Sequence, residues 1–306
     1  MHQKHSLFWA LGLFVAITVS LTVINIVRTQ PEPTPVANTT PQTGLTLLAA
    51  GDIATCQNEF DEATAKILDQ YPDSLILTLG DNVYDSGKIS EYLNCYEPTW
   101  GRHRDRTYPS IGNHDYGTAG GDDYFTYFER SKPSYYSFNR GNWHFIALDS
   151  NCSITACAVG SEQEVWLKND LNKINDDKCV LAYMHHPRIS SGKHGNDDEV
   201  QPLWDALYQE RVDIVLSGHD HTYERFSPLA PDGTVDSARG LRYFVAGTGG
   251  KDLYEFEQIK TGSVARNNTE HGVIKFELKT DSFSWKFLPV EGGTFTDSGS
   301  AKCYQA

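Results

Sequence analysis

Basic residues are scarce in this chain: 26 Lys and Arg stand against 40 Asp and Glu, a formal net charge of −14. No basic stripe is present, which excludes the phosphate-tracking surface of a nucleic-acid-binding protein. A negative chain can still take anions where metals reverse the field locally. None of the six cysteines forms a C-x-x-C pair, so the sequence carries neither a zinc pair nor a dithiol redox motif of that spacing. No internal repeat is visible. No second linker interrupts residues 45–306, so these are expected to form one domain, at the upper end of single-core size.

What is present is an ordinary globular composition, 39% hydrophobic and 12% aromatic, ample for a large core. Leu7 to Val27 form an uncharged, mostly apolar run of 21 residues, long enough to span a bilayer. Residues 1–28 therefore read as a signal-anchor or transmembrane segment, with a cleaved signal peptide as the alternative. Lys4 and Arg28 on its two sides leave the charge rule almost undecided. Residues 29–44, with Pro31, Pro33, Pro35 and Pro41, read as an extended tether. An extracytoplasmic location (periplasmic, secreted or cell-surface) follows, with the chain held to the membrane by its N-terminus. Downstream of an export segment, the even set Cys56, Cys95, Cys152, Cys157, Cys179 and Cys303 reads as disulfides. Cys152 and Cys157 flank a four-residue loop and are the expected local pair; the other four can pair three ways. Asn38, Asn151 and Asn267 fit the glycosylation acceptor pattern.

Hydrophobic patterning predicts strands at Leu45–Ala50, Leu75–Leu79, Trp143–Leu148, Val180–Met184 and Val212–Leu216, with helices between them. Helices are expected from Asn58 or Asp61 to about Tyr71, over Ser90–Glu97, after the capping pair Ser161 and Glu164, and over Glu199–Gln209. Beyond that only strands are read: Arg242–Ala246, Val273–Leu278 and Phe283–Leu288. The chain thus begins as α/β and ends as a β-meander. Two packed mixed sheets flanked by helices satisfy both halves.

Five apolar runs end in a polar turn that carries candidate ligands. Leu47-Leu48-Ala49-Ala50-Gly51 delivers Asp52, and Ile76–Gly80 delivers Asp81 and Tyr84. Ser110-Ile111-Gly112 delivers Asn113 and His114; Val180–Met184 delivers His185 or His186, followed by Pro187. Val212–Ser217 runs into Gly218-His219-Asp220-His221. Ligand sites in such folds gather beyond the carboxyl ends of strands, and a glycine before the polar residues lets the backbone turn sharply. Carboxylates, an amide oxygen, a phenol and imidazoles together suit hard or borderline cations such as Fe, Mn and Zn.

The series GD, GDNVY, GNHD, H-x-P and GHDH resembles the metallophosphoesterases and, within them, the purple acid phosphatases, marked by a tyrosine three places after the second aspartate. Gly247-Thr248-Gly249-Gly250 and the H-x-P…HG pattern from His185 to Gly195 are similar to the short, single-domain forms. The resemblance implies two metals. Asp52, Tyr84 and His221 would hold Fe(III), and Asn113, His185 and His219 would hold Fe(II), Zn(II) or Mn(II). Asp81 would bridge them, its two oxygens facing different ions. His114 and His194 would face the phosphate and its leaving group as proton donors. His186 falls at a variable position of the pattern and receives no role. The implied activity is hydrolysis of small phosphate monoesters (an acid phosphatase) by attack of a metal-bound hydroxide at the dinuclear centre. A phosphodiesterase or nucleotidase on the same scaffold is the alternative, and a surface protein that uses the scaffold for binding only is a third reading. His103, His144 and His271 lack any such setting and read as surface or satisfied residues, as do His2 and His5.

Overall fold

The computed structural model describes residues 44–174 and 177–304. The apolar run Leu7–Val27 and the proline tether lie outside the described residues. Among those described, no helix is long and apolar enough to cross a membrane.

Thirteen strands form two sheets among the described residues. In chain order they are β1 (Leu45–Ala50), β2 (Leu75–Leu79), β3 (Thr107–Ser110), β4 (Tyr136–Arg140), β5 (Trp143–Ala147) and β6 (Cys179–Tyr183). Then come β7 (Ile214–Ser217), β8 (Tyr223–Phe226), β9 (Arg242–Ala246), β10 (Ser263–Asn267), β11 (Gly272–Leu278), β12 (Ser282–Pro289) and β13 (Ser298–Lys302). The helices are α1 (Phe60–Asp69), the single turn α2 (Ile89–Glu91), α3 (Asp122–Tyr127), α4 (Glu162–Leu171) and α5 (Gln201–Gln209). The first sheet runs β13-β12-β11-β1-β2-β3 and the second β10-β8-β9-β7-β6-β5-β4. β1, β2 and β3 are parallel, as are β5, β6, β7 and β9, so both sheets aim their carboxyl ends at one rim.

The near-continuous apolar sequence of these strands has a simple cause: both faces are covered. In β1, Leu47 and Ala49 face the opposite sheet and share one core cluster with its Leu181 and Leu216 and with Phe276 of the adjacent β11. Leu48 and Ala50 face outward and pack with Ala65 and Leu68 of α1. On the other side of the molecule Ala182, Val215 and Val245 lie against Leu167 of α4 and Trp204 of α5. Ser161 opens α4 as expected, its hydroxyl accepting the Glu164 N–H at 3.3 Å. β11 and β12 pair antiparallel as the C-terminal third predicts, and β13 extends them; Arg242–Ala246, read as part of the same meander, instead joins the other sheet as β9, parallel to β7.

The cysteines pair as Cys152–Cys157, Cys56–Cys95 and Cys179–Cys303, which selects one of the three open pairings. Asn151 and Asn267 are each only 5% exposed, and their amides donate to Asp149 Oδ1 and the Glu270 carbonyl, so neither is a surface acceptor.

Candidate metal centre

At the shared rim, five loops bring their side chains together. Three of the residues there, Asp52, Asp81 and His219, take positive φ (59°, 47° and 68°), a conformation rare for residues with a side chain. Among the described residues only two other non-glycines, Glu129 and Arg211, do so. Strain of this kind persists where the surroundings over-determine it and points to a functional loop. The glycine at Gly80 is needed twice: its φ is +81°, and a Cβ there would come within 2.5 Å of the His185 ring. At Gly112 a Cβ would lie 2.1 Å from Asp81 Oδ1.

The first group of atoms surrounds the Tyr84 hydroxyl. Asp52 Oδ1 lies 2.8 Å from it, Asp81 Oδ2 2.9 Å and His221 Nε2 3.0 Å. The second group surrounds His185 Nε2. Asn113 Oδ1 lies 3.0 Å away, His219 Nδ1 3.2 Å and Asp81 Oδ2 3.3 Å. All seven side chains singled out in the sequence therefore meet, and Asp81 belongs to both groups. The division of labour within Asp81 differs from expectation. Oδ1 accepts the His114 backbone N–H at 2.8 Å, and Oδ2 alone faces both groups. The cause is local: His114 follows the turn at Gly112, and its N–H has no strand partner left.

The donor chemistry fits cations. A phenol has one proton, yet three acceptor-bearing atoms crowd that of Tyr84. His185 Nδ1 donates to the Leu79 carbonyl at 2.8 Å and His221 Nδ1 to the Asp252 carbonyl at 2.7 Å, which leaves Nε2 of each neutral ring with a free lone pair. Asp52 and Asp81 are 0% and 1% exposed, and histidines are their only ion-pair partners among the described residues. Ligand atoms of Asp52, Asp81 and His185 lie within 4.8 Å of one another, as do ring nitrogens of His185, His186 and His219.

Without a cation the histidines carry the compensating charge. Burial opposes it, but Asp81 raises the His185 ring to about 9. Burial likewise opposes ionisation of Asp81, and the charge on His185 and His114 overrides it, holding the carboxyl well below the usual range. His219 goes the other way: burial, then the neighbouring His185, keeps its ring neutral. Burial and His185 also hold the His186 ring down to about 3. Burial, with Asp52 and Asp81 alongside, pushes the Tyr84 phenol well above its ordinary value. A bound ion inverts that logic, because coordination favours the deprotonated ligand.

Around these groups stand further residues, all but Tyr254 inside the motifs or the loops already named. Asp220 is fully buried; Oδ1 accepts the His194 N–H at 2.8 Å, and Oδ2 accepts the Ser190 hydroxyl. It thus ties down the loop that carries His194, whose ring lies 4.3 Å from that of His219. His114 packs beside Tyr84 at 4.4 Å, its Nδ1 2.7 Å from the Asp85 carbonyl. Tyr254 stacks on His221 at 4.0 Å and brings its hydroxyl within 3.2 Å of His221 Nε2; no motif surrounds it, so no sequence signal was available. Asp115, the last letter of GNHD, accepts N–H groups of Asn82 and Gly112 and shapes both turns; burial, then Asp81, raises its carboxyl to about 6. His103, His144 and His271 are engaged elsewhere, with Asp69, Asp170 and the Lys251 carbonyl.

Fold and site together define an α/β sandwich with a buried Asp/His/Tyr cluster at the carboxyl rim of its parallel strands. The chain belongs to the calcineurin-like phosphoesterase family, whose pattern it matches over residues 45–223. That family uses a dinuclear metal centre. Among its relatives, probable purple acid phosphatase 20 of Arabidopsis thaliana is 31% identical over 205 residues, 60% of this chain and 47% of that protein. Purple acid phosphatase 15 of the same plant is 29% identical over 249 residues, 67% of this chain and 44% of that protein. The matched segment thus spans less than half of either plant relative. Among solved structures, purple acid phosphatase PPD1 of yellow lupin superposes with a TM-score of 0.69 at 18% identity, covering 84% of this chain and 53% of that one. GAP50, the anchor in the inner membrane complex of Plasmodium, gives 0.70 at 17% identity, with coverage of 86% and 90%. These two likenesses concern the fold.

Proposed function

We propose that this protein is a metal-dependent phosphomonoesterase of purple acid phosphatase type, working outside the cytoplasm. The observation that supports it most is the meeting of Asp52, Tyr84 and His221 around one point and Asn113, His185 and His219 around another, with Asp81 Oδ2 common to both. In this reading the first group holds Fe(III), for which a phenolate is a suited ligand, and the second holds Fe(II), Zn(II) or Mn(II). A pair of cations so held supplies charge neutralisation for the ester and an acidified water as nucleophile.

The chain's own residues do the rest. Asp81, whose Oδ2 is common to both groups, would be shared between the two ions. The carbonyls of Leu79 and Asp252 hold the rings of His185 and His221 in the ligating tautomer. His114 and His194 stand on the open side of the site and serve as proton donors to the departing oxygen. Asp220 keeps the His194 loop in place. Residues 1–28 act as an export and anchoring segment and 29–44 as a tether for the catalytic domain, 45–306.

Two measurements test the reading. Hydrolysis of an aryl phosphate should exceed that of the bis-aryl diester; a strong preference for the diester would assign a phosphodiesterase instead. Asp81→Asn should lower turnover at least 100-fold. Unchanged turnover would place the chemistry elsewhere.

A further inference from the structure

The loop after β6 presents two imidazoles in succession, and only His185 is used above. His186 is turned to the same place. Its ring centre lies 4.9 Å from that of His185 and 4.4 Å from that of His219, and ring nitrogens of the three lie within 4.8 Å of one another. The ring is held in position. Its Nδ1 is 2.9 Å from Ser150 Oγ, and the same hydroxyl accepts the His186 backbone N–H at 2.7 Å. Ser150 lies just beyond β5, so the neighbouring strand's loop sets the orientation of a side chain in the loop after β6. A serine oxygen has two lone pairs and can accept from both N–H groups. With Nδ1–H so engaged, Nε2 keeps a free lone pair, the same state that backbone carbonyls impose on His185 and His221.

We propose that His186 is a third imidazole ligand of the second cation, making that position nitrogen-rich and selective for Zn(II) or Fe(II) over Mn(II). The proposal rests on the dinuclear reading given above. Imidazole suits borderline ions, whereas Mn(II) favours carboxylate, carbonyl and water oxygens. His185, His186 and His219 together outnumber the two oxygens of Asn113 and Asp81 at this position. The competing use of the ring is as an N–H donor to a phosphate oxygen. That requires the other tautomer, with the Ser150 hydroxyl donating to Nδ1, and an Nε2–H does not bind metal.

The test uses the full chain stripped of metal, in the wild type, His186→Ala and His186→Gln, the last in case the alanine variant fails to fold. Zn(II) and Mn(II) binding are followed separately by calorimetry, and Co(II) binding by its visible bands. The wild type should bind two Zn(II) per chain. Each His186 variant should bind the second Zn(II) 10- to 100-fold more weakly, with a smaller change for Mn(II) and with shifted Co(II) bands. Wild-type zinc affinity and an unchanged Co(II) spectrum in both variants would overturn the assignment; weakened inhibition by inorganic phosphate in that case would give the ring to the substrate. Failure of the wild type to take up a second ion would count against the dinuclear reading itself, an outcome distinct from the first.

Discussion

Tyr84 illustrates how much a single side chain depends on its neighbours. As a core aromatic it needs one acceptor; here its hydroxyl meets two carboxylate oxygens and an imidazole nitrogen within 3.0 Å. The residues that make this cluster were readable because glycines and turn geometry mark them in the sequence. The details were not. That Asp81 uses one oxygen for both groups depends on where the His114 N–H falls, and the placement of Tyr254 over His221 depends on a loop 33 residues away in sequence. A proton-donor role for His194 makes a prediction at this scale. In His194→Ala, kcat for an alkyl phosphate should fall about 100-fold or more, while an aryl phosphate with a good leaving group is affected far less. Asp220→Ala should give the same pattern at reduced size, because it loosens the loop that holds the imidazole. Equal losses on both substrates would remove His194 from leaving-group protonation.

Four of the five strands that carry the site were legible as elements, since a continuous apolar run broken by Gly and a polar turn has few other meanings; β3, Thr-Tyr-Pro-Ser, was not. The edge strands were not. β13 reads Ser-Gly-Ser-Ala-Lys, with no apolar alternation, and forms because β12 offers it a free edge. β10 and β4 are likewise outermost in their sheet. Pairing, not local sequence, makes such segments strands. Between the second and third of the parallel strands of the larger sheet lies a buried carboxylate that the motifs ignore. Asp213 Oδ2 accepts the Val180 N–H and Oδ1 the Tyr304 N–H, and burial raises its pKa to about 6. A carboxyl raised in the folded state stabilises the fold in its protonated form. Its contribution is complete below the unfolded value of about 4 and is lost as pH rises through about 6. Comparing denaturant unfolding at pH 4 and pH 7, the advantage of the wild type over Asp213→Asn should shrink by roughly 2–3 kcal/mol. A difference independent of pH would show that the group ionises normally.

At the scale of the whole molecule, two sheets must stay in register for the rim to close, one built from the first three and last three strands and the other from the seven between them. Their packed faces supply most of that. The Cys179–Cys303 bond adds a covalent tie from the start of β6 to the segment after β13, across a sequence separation of 124. Replacing both cysteines by serine should lower the unfolding free energy by about 2–5 kcal/mol, measured with denaturant. An unchanged midpoint would mean that the sheets hold together without it. The sequence predicted two sheets and one pair of cysteines; which of the remaining cysteines would pair followed only from the finished topology.

The meeting of seven side chains at that rim is tested most directly by metal analysis and a visible spectrum on one purified sample, alongside Tyr84→Phe. Two metal ions per chain, iron among them, should accompany a visible absorption band in the wild type, and the band should vanish in a folded Tyr84→Phe protein. A colourless, fully active wild type with no iron would contradict the ferric assignment, and a protein that binds no pair of ions would contradict the site itself.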